Sequence, residues 1–230
     1  MEESRASLAG PADFVQDTAY ATHFHTYQAI LKRFLGEDPG RGYFDLPPDA
    51  LIVDVGCGYG EYMRQLGHRG HTRLVGIEPD ATCREGGRAA GFDVREGMLT
   101  ATGLPDAFAD AAVVNEVFHH IADYERASAE LSRILKPGGI LCFSEPRNTL
   151  QRRVMDFLTL DVPLRKLVPA VEIRYQVIVR EIETGLYKKF LGEQAAFYAA
   201  IERHFERQWL KKGHFFQFGK YLKRGAAVRA

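Results

Sequence analysis

The run Leu51-Ile52-Val53-Asp54-Val55-Gly56-Cys57-Gly58-Tyr59-Gly60 constrains the fold more than any other stretch. An apolar segment interrupted only by Asp54 leads straight into three glycines spaced two apart. This predicts a buried strand ending in a tight turn, where backbone bare of side chains can approach a ligand. Further on, Val75-Gly76-Ile77-Glu78-Pro79-Asp80 sets an acid at the end of a second apolar segment. A carboxylate at that place can accept both hydroxyls of a ribose. Together the two segments predict a site for a nucleoside cofactor.

The rest of the first 150 residues repeats one rhythm. Strands are predicted at Leu51–Val55, Arg73–Ile77, Phe92–Arg95, Ala111–Val114 and Ile140–Ser144, with helices at Glu61–Leu66, Ala81–Ala90 and Tyr124–Leu135. Such alternation of apolar strands and helices predicts a parallel sheet covered on both faces. After Pro146 the rhythm stops: residues 148–204 are helix-like. Phe205–Leu210 and Phe215–Leu222, separated by Lys211-Lys212-Gly213-His214, read as an antiparallel hairpin. Near the N-terminus, residues 14–35 read as an amphipathic helix, and Tyr20, His23 and Tyr27 repeat along it.

The glycine spacing is G-x-G-x-G followed by Glu61. A dinucleotide turn would want glycine at position 61, and its pyrophosphate favours a helix start without an acid. Glu61 therefore disfavours a nicotinamide cofactor and is compatible with a nucleoside that has no phosphate.

Four stretches, in order, carry a resemblance to a known family. Val53-Asp54-Val55-Gly56-Cys57-Gly58-Tyr59-Gly60 resembles the first motif of class I S-adenosylmethionine-dependent methyltransferases. Glu78-Pro79-Asp80 resembles the second. Asn115-Glu116-Val117-Phe118-His119-His120-Ile121 is similar to the segment after the fourth strand in the small-molecule (type 11-like) branch. Leu135-Lys136-Pro137-Gly138-Gly139-Ile140 resembles the turn before the fifth. The resemblance covers residues 50–146. It implies an α/β, Rossmann-like, doubly wound seven-stranded sheet with a C-terminal antiparallel hairpin and a helical insertion before it. It also implies four regions: an N-terminal lid and linker (1–48), a cofactor-binding core (49–147), a helical acceptor-pocket insertion (148–204) and a terminal hairpin (205–230).

The resemblance further implies S-adenosyl-L-methionine as cofactor and a role for each matching residue. Asp54 would orient the turn or the cofactor amine, and the backbone of Gly56 and Gly58 would border the methionine part; Cys57 and Gly60 belong to the same cofactor-binding turn, Gly60 letting the next helix pack close to the strand. Glu78 would hold the ribose, Pro79 would lie against adenine, and Asn115 would offer its carbonyl to the ammonium. Met98 and Leu99 follow the third strand, where relatives often carry an Asp that contacts the adenine amino group. Methionine can pack on adenine but cannot accept that hydrogen bond.

Methyl transfer from a sulfonium asks mainly for alignment of nucleophile, methyl and sulfur. A hydroxyl acceptor also gains from a base, and His119 and His120 stand after the fourth strand, where this family's active site opens. Neighbouring residues on a strand or helix point apart, so one histidine is expected to serve, His120 before His119.

The cysteines Cys57, Cys83 and Cys142 are scattered and form no C-x-x-C pair, so neither a disulfide framework nor a metal site is expected. The N-terminus is polar, and no apolar run nears the ~20 residues of a membrane span. A cytoplasmic enzyme is the expectation. Residues 1–150 carry 14 Lys/Arg against 22 Asp/Glu, and residues 151–230 carry 16 against 8, giving net charges of −8 and +8. The basic third suggests a small acceptor bearing phosphate or carboxylate. It is also the sole support for an RNA- or protein-modifying enzyme, for which no nucleic-acid module is visible. A cofactor-binding protein without transferase activity is the remaining alternative, since a fold does not guarantee its chemistry.

Overall fold

The computed structural model describes residues 46–162 and 166–225. The expected N-terminal helix, with Tyr20, His23 and Tyr27, lies outside them. Seven strands form one sheet: β1 (Ile52–Val55), β2 (Leu74–Glu78), β3 (Asp93–Glu96), β4 (Ala109–Asn115), β5 (Leu135–Pro146), β6 (Phe205–Lys212) and β7 (Phe216–Lys223). Their spatial order is β3-β2-β1-β4-β5-β7-β6. The first five run parallel, while β7 pairs antiparallel with both β5 and β6. The doubly wound sheet closed by a C-terminal hairpin is thus present as expected.

Helices α1 (Glu61–His68), α2 (Ala81–Ala89) and α3 (Tyr124–Ile134) are the crossovers of the parallel part. Four further helices separate β5 from β6: α4 (Leu150–Leu160), α5 (Pro169–Glu183), α6 (Leu186–Gly192) and α7 (Gln194–His204). Alternate residues of each parallel strand pack on opposite sides of the sheet. Val53, Val55, Ala112, Val114, Leu141 and Phe143 meet α3, α6 and α7 in one core cluster. Ile52, Ala111, Val113 and Cys142 meet Tyr62 and Leu66 of α1 in another. Phe190 and Phe197 fill the first cluster, where Phe197 lies edge-on to Phe118 and Phe143. Full burial of one such ring stabilises by roughly 1.5–3 kcal/mol.

The fifth strand departs from expectation at both ends. Ala109 pairs with Leu135 and Ala111 with Ile140, so Lys136-Pro137-Gly138-Gly139 loops out of a ladder that has already begun. At the other end the strand continues past Ser144 through Glu145 and Pro146, paired with Gln217 and Phe216. That extension carries Glu145 into the site described next.

Candidate functional site

The C-terminal ends of β1, β2, β4 and β5 lie side by side, at the point where strand order reverses between β1 and β4. Ligands of open α/β sheets bind at such a reversal. The glycine turn after β1 is held by main-chain bonds from Gly56 N and Cys57 N to Ile77 O, at 2.7 and 3.2 Å. Gly56, Gly58 and Gly60 have φ of 77°, 53° and 79°, the left-handed region that other residues enter only at a cost. A Cβ on Gly56 would stand 2.4 Å from Val117, and one on Gly60 2.6 Å from Phe92. On Gly58 it would meet no described residue within 4 Å, so among the described residues the tip of the turn presents bare backbone.

Glu78 ends β2 beneath that tip and is 4% exposed. Its Oε2 accepts from Gly58 N at 2.9 Å and its Oε1 from Asp80 N at 3.0 Å. Each oxygen keeps a further lone pair. Asp80 in turn caps α2 by accepting from Cys83 N at 2.8 Å. Burial raises the Glu78 pKa, against the two backbone donors that lower it.

Among the described residues, Asp54 Oδ2 on β1 and Asn115 Oδ1 at the end of β4 are buried at this edge without a partner, as are Asp80 Oδ2 and Ser144 Oγ. Burial, and secondarily the charge of Glu78, pushes the Asp54 carboxyl up to about 7. Buried acceptors without donors are costly, and a ligand ammonium would satisfy those of Asp54 and Asn115. With the bare turn and the ribose-type acid, these atoms fit the nucleoside amino acid that the sequence implies.

Other expected contacts fall differently. Cys57 turns its sulfur inward, into a cluster with Met63 and Val94, and burial raises its thiol pKa strongly. A Cβ on Gly76 would stand 2.5 Å from that sulfur, so the cysteine offers the turn its backbone alone. Pro79 is exposed beside Glu78. Leu99 is buried in the core, while Met98 is 42% exposed in a tight turn closed by mutual main-chain bonds with Ala101. Glu96, the other acid there, faces Arg84 at 3.4 Å.

The histidines are the largest correction. They follow β4 in a 3-10 turn, Phe118–His120, behind Glu116, whose φ is 58°. The chain bends so sharply there that the two rings converge, with centroids 4.0 Å apart, instead of pointing away from each other. Glu145, absent from the sequence expectations, holds the bend. Its Oε1 accepts from Val117 N and Phe118 N at 2.8 and 2.7 Å, and its Oε2 lies 2.8 Å from His119 Nδ1. An acid at the end of an apolar strand, as at Glu78, is the signal that could have found it.

A second acid, Glu181 on α5, places Oε1 4.0 Å from His119 Nε2. His119 is buried and His120 half-buried. Burial, reinforced by Arg152, lowers the His119 pKa to about 3, and burial with His119 lowers that of His120. Both imidazoles are neutral at pH 7. Burial raises the Glu145 pKa to about 8, opposed by its three backbone donors. Arg152, held by Tyr187 Oη and the Phe215 carbonyl, and Arg174, held by Asp156 and Thr159, are buried behind this cluster.

Residues 53–143 match the methyltransferase domain family. A probable S-adenosylmethionine-dependent methyltransferase of Mycolicibacterium smegmatis is 29% identical over 129 residues, 55% of this chain and 45% of that protein. A ubiquinone biosynthesis O-methyltransferase of Brucella anthropi is 28% identical over 151 residues, 62% of this chain and 60% of that protein. The matches span less than two thirds of either relative. The crystal structure of an S-adenosylmethionine-dependent methyltransferase from Thermotoga maritima shares the fold, with a TM-score of 0.64 at 20% identity over 93% of this chain and 98% of that one. Strand order and glycine turn are those of the class I S-adenosylmethionine-dependent methyltransferase fold, and residues 53–143 are similar in sequence to that family. S-adenosylmethionine is the cofactor of that class.

Proposed function

We propose that this protein methylates a small molecule bound between the glycine turn and the His119–His120 pair. The observation that carries the reading is the shared strand edge: two unsatisfied acceptors, Asp54 Oδ2 and Asn115 Oδ1, adjoin a bare backbone turn and a pair of neutral imidazoles.

Bound S-adenosylmethionine would supply an electrophilic methyl group on a positively charged sulfur. Glu78 would hold its ribose with the lone pairs that Gly58 and Asp80 leave free. Asp54 and Asn115 would take its ammonium. His119 and His120 would receive the acceptor's nucleophile, their lone pairs available because burial keeps both rings uncharged. Glu145 is a positioning residue that fixes the bend and the His119 ring. Alignment of nucleophile, methyl and sulfur is the main contribution the protein makes to such a displacement.

An anionic group on the acceptor is supported by the +8 balance of residues 151–230. Arg152 and Arg174 contribute to that balance but are engaged inside the fold, so a surface lysine or arginine would have to meet the anion. The Brucella relative is named for O-methylation in ubiquinone biosynthesis, which favours a small oxygen nucleophile.

Calorimetry with S-adenosylmethionine and S-adenosylhomocysteine, followed by transfer of labelled methyl to a panel of small phenols, carboxylates and phosphates, tests the reading. Saturable binding of both compounds and transfer to one acceptor class are expected. No heat with either compound would overturn it.

A further inference from the structure

We propose that His119, His120 and Glu181 form a binding site for a divalent first-row transition-metal ion at the acceptor end of the sheet. A bound ion would occupy the histidine lone pairs and activate the acceptor in place of direct proton transfer to the rings; that relevance rests on the methyl-transfer reading above, and the site itself does not.

One ligand atom from each residue lies within 4.8 Å of the other two, and His119 Nε2 stands 4.0 Å from Glu181 Oε1. Two metal–ligand bonds of about 2.0–2.2 Å bridge such a gap with little movement. Two imidazoles and a carboxylate suit zinc, iron, cobalt or nickel better than calcium or magnesium, which favour oxygen alone.

The surroundings are those of a built site. Glu145 engages His119 through Nδ1, which leaves Nε2 directed at the cluster. A carboxylate behind a histidine is the usual support of a metal-binding imidazole, fixing its tautomer and raising its basicity. The same Glu145 pins the 3-10 turn through Val117 N and Phe118 N, so both histidines sit on restrained backbone. Glu181 comes from the last turn of α5, a separate element. The Tyr187 and Phe190 rings pack against His119, with centroids 5.9 and 6.2 Å from its own, Tyr187 nearly perpendicular to it. His120 is half-buried, which leaves a path from solvent.

The charges nearby are mixed. Arg152 opposes a cation, as its effect on His119 shows. Glu181 faces the histidines opposite that guanidinium, and Arg174 on α5 is paired with Asp156. The cysteine-based expectation of no metal site did not reach this cluster, because it contains no cysteine and draws Glu181 from a distant helix.

The test uses the full chain, stripped with a chelator, reloaded with Zn2+ and freed of excess ion. Elemental analysis should find one zinc per chain, and titration of the stripped protein with Co2+ should produce a saturable visible band. Glu145→Gln should weaken Co2+ binding about 10–100-fold, and Glu181→Gln or His120→Ala by more. Melting curves confirm that the variants are folded. S-adenosylhomocysteine calorimetry on the same samples reports the cofactor site separately. Absence of stoichiometric zinc in the wild type would overturn the proposal and leave the methyltransferase reading standing. Equal Co2+ affinity in wild type and the Glu181→Gln/His120→Ala double variant would also overturn it. If Glu181→Gln fails to fold, His120→Ala, at a half-buried position, decides alone.

Discussion

The backbone N–H of Gly58 donates to Glu78 Oε2 at 2.9 Å, joining the tip of the first turn to the acid of the second strand. Loop and carboxylate form one unit. Removing the acid therefore acts twice: a ligand contact is lost, and the N–H groups of Gly58 and Asp80 lose their acceptor. Glu78→Ala should weaken S-adenosylmethionine by about 1–3 kcal/mol and lower the melting temperature without ligand. Calorimetry and thermal denaturation read the two effects; unchanged affinity would reassign Glu78 to a purely structural role.

The glycines of the turn should separate in the same pair of measurements. The Cβ of Gly58→Val meets no described residue within 4 Å, so the substitution costs mainly left-handed backbone strain, roughly 1–2 kcal/mol. It should fold, yet lose cofactor binding because its side chain occupies the ligand's approach. Gly56→Ala drives a methyl against Val117, so its first consequence should be lower stability. Retained binding in Gly58→Val would move the cofactor away from this turn.

His120→Ala should reduce turnover about 100-fold or more with S-adenosylhomocysteine affinity kept, provided the acceptor is activated at the histidine pair. Single-turnover kinetics beside calorimetry decides it. A change of less than about threefold, well short of the 100-fold a base contributes, would remove His120 from acid–base chemistry.

Acid and neutral stability should respond in opposite senses to two buried groups. The Asp54 carboxyl is raised from 3.8 to about 7, so the folded protein holds that proton more tightly than the unfolded chain. Its contribution is full below pH 3.8 and is lost as the pH rises toward 7. The His119 ring is lowered from 6.5 to about 3, so its contribution is present above pH 6.5 and is lost on acidification toward 3. Between pH 7 and 5, Asp54→Asn should make the loss of stability on acidification steeper, and His119→Gln should make it shallower. Urea denaturation at the two pH values measures both slopes; identical slopes in all three proteins would show that neither group is perturbed.

Much of the fold was legible because its signals are local. Near-continuous apolar runs marked β1, β2 and β4, the glycine spacing marked the turn, and Lys211–His214 marked the hairpin. The extra length of β5 was not legible: its first residues pair across a looped-out segment and its last are fixed only by β7. The inward direction of the Cys57 sulfur was not legible, since sequence order gives no direction to a side chain in a turn of left-handed glycines. The histidines were expected to diverge, as on regular elements; Glu116 in a left-handed conformation and the 3-10 turn made them converge.

The sequence by itself determined the alternation, the bare turn and the acid that underlies it, because each depends on neighbouring residues and on backbone preferences. The tertiary structure alone decided the acceptor end. There Glu145 from one strand and Glu181 from a distant helix meet two histidines at the end of another strand. No local propensity encodes that meeting; it arises when sheet pairing and helix packing bring remote segments within a few ångströms.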